Sequence, residues 1–139
     1  MSDVFFHVEG ADVPETVHEG SIRKWLDKIF EKEGFQMGIL NIVFCSDDYL
    51  SKINFQHLNH EDLTDIISFD YSENLKISGD LFVSIDRVKE NSFFYNHKEE
   101  NELLRVLAHG VLHLLGYKDK TLKEKKIMRK KENECLFLV

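Results

Sequence analysis

Apolar residues recur with a helical period over residues 19–33, where Ile22, Trp25, Leu26, Ile29 and Phe30 fall on one face. Gly34 follows at the position where a helix closes through a left-handed residue. Residues 3–8 alternate loosely and are rich in Val and Phe, and residues 38–45 (GILNIVFC) form a short β-branched run, so both read as strands. Ser46, Asp47 and Asp48 offer a cap for a helix reaching about Asn59. Two further strands are predicted at residues 65–70 (DIISFD) and 79–85 (GDLFVSI), joined by the polar stretch 71–78. Residues 86–96, 98–115 and 121–137 read as three helices. The resulting order, β-α-β-α-β-β-α-α-α, neither alternates strictly nor segregates. It predicts an α+β fold: one mixed sheet of about four strands covered by helices.

One of these helices differs from the rest. Residues 103–115 (LLRVLAHGVLHLL) are apolar around most of the circumference, which places this helix centrally. His109 and His113 interrupt it four residues apart. That spacing is about 40° around the axis and about 6 Å along it, so the rings project together. Two buried imidazoles are costly unless their nitrogens find partners. This is the spacing at which two of them reach one ion, at about 2.0–2.1 Å. Gly116 then ends the helix, and Asp119 follows three residues on, where the returning chain can deliver a carboxylate. Three ligands and an open fourth position describe a catalytic zinc site, the kind at which water is acidified. The sequence therefore points to one Zn²⁺ per chain, held by His109, His113 and Asp119.

Composition and charge add bounds. At 139 residues, with 42% hydrophobic and 31% charged residues and eleven Phe, the chain suits one domain spanning 1–139. A single proline (Pro14) and seven glycines leave no long linker. Residues 1–10 lack a basic region followed by an apolar one, and no apolar run approaches the roughly 18 residues of a membrane span. Cys45 and Cys135 have no CxxC spacing and read as two reduced, packed thiols. Together these features suggest a cytoplasmic protein without a membrane partner. The net charge is −7, but residues 118–131 hold eight basic residues against Asp119 and Glu124. That is +6 locally, leaving −13 for the remainder. A solvated helix face accounts for such a run on charge alone, and so does a local grip on phosphates.

The run His109-Gly110-Val111-Leu112-His113-Leu114-Leu115-Gly116-Tyr117 is similar to the signature of the YbeY-type endoribonucleases, the rRNA maturation factors. Thr64-Asp65-Ile66-Ile67-Ser68-Phe69, Gly79-Asp80-Leu81 and Ile53-Asn54 resemble the same family in the same order. The resemblance covers about residues 39–137, with its specific motifs between 53 and 119. It implies a zinc-dependent, single-strand-specific endoribonuclease acting in small-subunit ribosomal RNA maturation and ribosome quality control. The implied partners are ribosomal RNA and the ribosome or its proteins.

Two positions depart from the family pattern. The family's third histidine is Asp119 here, a legitimate zinc ligand whose extra negative charge makes the bound water less acidic. A family arginine is Leu58 here, which leaves Lys118, Lys120 and Arg87 as candidate phosphate contacts. Asp65, Ser68 and Asp80 are candidates to hold the histidine rings or line the RNA groove, with turn or cap chemistry as the plainer reading. His57 and His60 are candidates to face substrate.

Other chemistries compete. A metallopeptidase of the H-E-x-x-H kind needs a glutamate after the first histidine, where Gly110 has no side chain to take a proton. His-His-Asp also forms the facial triad of non-haem iron oxygenases, but no feature points to a cosubstrate. The third alternative is a non-catalytic, ribosome-associated zinc module, in which the ion only braces a helix end.

Overall fold

The computed structural model describes residues 3–13, 17–54 and 65–139. The elements run β1 (Asp3–Glu9), α1 (Glu19–Glu33), β2 (Gln36–Cys45), α2 (Asp47–Ile53), β3 (Ile66–Asp70), β4 (Lys76–Ser84), α3 (Ile85–Phe94), α4 (Glu99–Leu114) and α5 (Leu122–Phe137). The four strands make one mixed sheet in the order β1-β2-β4-β3. β1 and β2 are parallel, as are β2 and β4, while β3 returns antiparallel to β4. The α+β architecture expected from the pattern is the one found. The polar stretch after β3 is shorter than its composition suggests. It is a tight hairpin in which Glu73 and Lys76 exchange backbone hydrogen bonds and Asn74 takes φ 56°, so β4 begins at Lys76. The predicted end of α2 at Asn59 lies outside the described residues.

Strand alternation sorts the apolar residues onto two faces. Leu40, Ile42, Phe44, Ile66, Ile77, Leu81 and Val83 pack in one cluster with Trp25, Leu26 and Ile29 of α1 and Leu103, Leu107 and Val111 of α4. Val43, Cys45 and Ile67 point the other way, against Leu50 of the short α2. All five apolar residues expected on the inner face of α1 are buried, and Gly34 closes that helix at φ 78°. Leu107, Ala108, Val111 and Leu112 have no exposed surface, so α4 is fixed centrally. Each of its buried leucines contributes about 1.5–3 kcal/mol by area burial.

Gly110 is what lets α4 lie so close to the sheet. A Cβ there would sit 2.5 Å from Ile66 Cδ1 and 3.1 Å from Leu81 Cδ2. This position therefore faces strands, and a glutamate on this side of the helix has no room.

Both cysteines are core residues, as expected for packed thiols. Burial, helped by neighbouring carboxylates, pushes Cys45 up to about 12 and Cys135 up to about 11. Neither thiolate forms at neutral pH. Alkylation of the native protein by iodoacetamide at pH 7.5 is therefore expected to leave both thiols unmodified over hours, with two adducts appearing after unfolding. Rapid native labelling of either one would contradict the packing.

Candidate metal centre

The site is built at the C-terminal end of α4. Its last turn closes through Gly116 at φ 104°, where the Tyr117 N–H bonds back to Leu112 O and the Gly116 N–H to His113 O. Tyr117 then donates its hydroxyl to Glu33 at the end of α1, and Lys131 of α5 donates to the same carboxylate at 3.1 Å. Pinned on two sides, the chain turns back over α4 and brings Asp119 to the histidines.

Three donor atoms converge there. His109 Nε2 lies 3.1 Å from Asp119 Oδ2, His113 Nε2 lies 3.4 Å from the same oxygen, and the two Nε2 atoms are 3.1 Å apart. The rings sit 4.6 Å apart at 75°. For a tetrahedral ion with ligands at about 2.0–2.2 Å, adjacent donors are separated by about 3.3–3.6 Å. The observed triangle is close to one face of such a tetrahedron, with the fourth corner left to solvent or substrate. All three residues are half-buried.

The electrostatics ask for a cation. His109 Nδ1 is 2.8 Å from Glu132 Oε2, and an ionised carboxylate only accepts, so the ring's hydrogen is on Nδ1. Its Nε2 lone pair then faces the Asp119 oxygen, acceptor against acceptor. A proton answers that for His109 alone, whereas a divalent ion answers it for all three donors. Burial opposes protonation of His109, but the hydrogen bond and charge of Glu132, then the charges of Asp119 and Asp65, outweigh it and raise the pKa. Glu132 is lowered: burial opposes its charge, and the bonds and charges of His109 and Arg105 prevail. Arg105 donates to Glu132 Oε1 at 3.1 Å and to Asn133 at 3.0 Å.

Sequence reasoning missed Glu132 and Arg105. The available signal was a glutamate on the buried stripe of α5, between Met128 and Cys135. A carboxylate on a buried stripe needs a partner, and a metal-binding histidine with a free Nδ1 is a natural one.

The other predicted residues disperse. Ser68 Oγ donates to Gly110 O at 3.4 Å, so its hydroxyl meets the backbone of α4 and not an imidazole. Asp65 stands just before β3 and shares a cleft with His109; burial raises its pKa, partly offset by the charge of His109. Asp80 is a correction to the idea of a ring-holding residue. It lies on the opposite sheet face, beside Phe69 and Phe82, and accepts from Asn41 Nδ2 at 3.1 Å. Nor is it a turn or cap residue, being in the middle of β4. Strand alternation is the reason, since Leu81 next to it takes the inner face. Lys118 and Lys120 are exposed on either side of Asp119. Arg87 is committed to Asp47 at 3.1 Å. His57, His60, Leu58 and Thr64 lie outside the described residues.

The family model for Endoribonuclease YbeY matches residues 5–138, well beyond the stretch that carries the motifs. The chain is 49% identical over 136 residues to the Endoribonuclease YbeY of Cytophaga hutchinsonii, covering 97% of this chain and 94% of that one. It is 50% identical over 117 residues to that of Flavobacterium johnsoniae, covering 84% of each. A solution structure from Thermotoga maritima superposes with a TM-score of 0.66 at 27% identity, over 96% of this chain and 88% of the other. With the motif, the mixed sheet and the three convergent donors all in agreement, this chain belongs to the YbeY endoribonuclease family.

Proposed function

We infer that this chain is a zinc-dependent endoribonuclease that cleaves single-stranded ribosomal RNA during maturation of the small subunit, working in the cytoplasm. The observation that carries the reading is the triangle of His109 Nε2, His113 Nε2 and Asp119 Oδ2, with sides of 3.1–3.4 Å, on a chain matched by the family over nearly its whole length. His109, His113 and Asp119 are proposed as the zinc ligands. Zinc bound there supplies positive charge for the phosphodiester and acidifies water. Among the described residues no helix is long and apolar enough to cross a membrane.

The protein's own groups have separable roles. Glu132 fixes the tautomer and the angle of His109, so that Nε2 is the donor presented to the metal position. Asp119 adds a negative charge, which weakens the acidifying power of the site relative to a third imidazole. Lys118 and Lys120 are proposed to meet the phosphates flanking the scissile one, a reading supported by their exposure beside Asp119. Cleavage of ribosomal RNA by the zinc-loaded protein, with His113→Ala purified in parallel, tests the activity.

The basic run on α5 is divided by the structure. Lys131 is tied to Glu33 and stacks 5.5 Å from the Tyr117 ring, so it serves the turn and not the substrate. Burial opposes its charge, but the bonds and charges of Glu33 and Tyr117 raise its pKa. Lys125, Lys126 and Lys130 are exposed. Each phosphate contact contributes about 0.7 to the slope of log affinity against log salt for a single strand. Replacing these three by Gln is expected to reduce the slope by up to about 2. An unchanged slope would assign this face to solvent.

A further inference from the structure

A cleft of about 250 Å³ opens on the Nδ1 side of His109, away from the open metal corner. Its walls include Tyr95 and His97 from the turn after α3, Arg105 of α4, Glu132 and Arg129 of α5, and Asp65. The turn that supplies the aromatic wall is exposed and apolar. Phe93, Phe94 and Tyr95 are 91%, 78% and 59% exposed, three consecutive aromatic rings at a helix end. Scattered surface aromatics need no explanation, but Tyr95 lines the cleft that it shares with the metal-site residue His109.

The turn is also rigid. Tyr95 N–H bonds to Asn91 O at 2.9 Å and His97 N–H to Ser92 O at 2.8 Å, across Asn96 at φ 56°. This double closure sets the backbone from which the Tyr95 ring projects. Phe94 packs edge-on against it at 5.1 Å, and His97 lies 6.1 Å from it at 31°.

Inside the cleft three carboxylates, Asp65, Glu102 and Glu132, face two guanidiniums, Arg105 and Arg129. Glu132 is answered by Arg105 and His109, and Glu102 by His97 at 3.2 Å. Arg129 also pairs with Glu132, at 3.6 Å, so both guanidiniums of the cleft already face a carboxylate. A phosphate gains little in such surroundings. A flat uncharged ring with donors and acceptors on its edge suits them, because stacking on an aromatic face is available to any nucleobase. The His109 imidazole lines the cleft, bonds Glu132 through Nδ1 and faces Asp119 through Nε2, so cleft and metal position share one ring.

Building on the endoribonuclease reading, we propose that this cleft is a nucleobase subsite in which a base adjoining the scissile phosphate stacks on Tyr95. The site thereby favours unpaired RNA, since a base held in a duplex cannot enter.

The test uses the zinc-loaded protein and a single-stranded oligonucleotide made resistant to cleavage by 2′-O-methylation. Tyr95→Ala is expected to weaken binding roughly 5- to 100-fold, with zinc content and melting temperature unchanged. In cleavage of unmodified RNA the loss appears mainly in KM. Tyr95→Phe, which keeps the ring, is expected to bind like the wild type. Phe93→Ala, outside the cleft, controls for general loss of surface apolarity and is expected to be silent. If the wild type binds and Tyr95→Ala matches it, the subsite is overturned while the nuclease reading stands. Unchanged RNA binding with weakened ribosome binding would assign the turn to a protein contact and also overturn it. If the wild type binds and cleaves no RNA, both readings fall together.

Discussion

Replacing His113 by alanine is expected to abolish zinc-dependent cleavage of ribosomal RNA and to leave the fold intact. The His113 side chain is about one-third exposed, and its described contacts are with His109 and Asp119, so no core cavity forms. Removing it takes one of three ligands. The effect on metal affinity therefore exceeds the roughly 10- to 100-fold typical of a partner one shell further out. Zinc content after dialysis should fall from one per chain toward zero, and cleavage should fall with it. Parallel purification separates this from contamination, because a contaminating nuclease cleaves equally in both samples. Absence of cleavage in both would leave the metal centre standing and favour a ribosome-associated module instead. A companion variant, Asp119→His, restores the three-imidazole set of the family pattern. Losing one negative charge makes bound water more acidic, so the pH–rate profile is expected to move to lower pH. A profile that stays in place would show that Asp119 does not set that acidity.

Glu132 carries the second large effect, although it is not itself one of the three metal ligands. Its carboxylate joins Arg105 on α4 to the Nδ1 of His109, with only 8% of the side chain exposed. Glu132→Gln retains the shape and loses the charge, and is expected to weaken zinc binding about 10- to 100-fold. Glu132→Ala goes further by stranding Arg105. Breaking a buried pair costs about 3–5 kcal/mol, and the cost is smaller here because Arg105 reaches solvent and retains Asn133. Chemical denaturation of the metal-free protein reads the stability part separately from the metal part. Equal zinc affinity in wild type and Glu132→Gln would remove the positioning role.

The same pair gives the metal-free protein a pH dependence of known sign. Glu132 titrates below the usual carboxylate range, so its contribution is complete above an ordinary glutamate pKa and is lost as pH falls through the lowered value. His109 titrates above the usual imidazole value, so its contribution is complete below that value and is lost as pH rises through the raised one. Thermal melts of the metal-free wild type should therefore be highest between the two limits. In Glu132→Gln both flanks should flatten. A wild-type melting temperature that falls on neither side of this window would show that the pair is not coupled to folding.

The amino-acid sequence by itself determined the element order, the inner face of α1 and the metal centre. Each is a local property: a period of 3.6, a four-residue spacing on one helix, a glycine that ends it and a carboxylate three residues later. His109, His113 and Asp119 span only eleven residues, so a local turn can bring them together, and contacts from Glu33 and Lys131 then hold that turn. Tertiary structure decided the rest. Strand pairing placed Asp80 on the far face of the sheet, and the packing of α5 on α4 brought Glu132 to His109 across 23 residues. It turned Lys131 inward to Glu33, 98 residues away, and set the aromatic turn after α3 beside the metal centre. A residue's own neighbourhood in sequence holds its periodicity and its turn chemistry. Which distant side chain shares its desolvated space depends on how whole elements pack, and packing is a property of the assembled core.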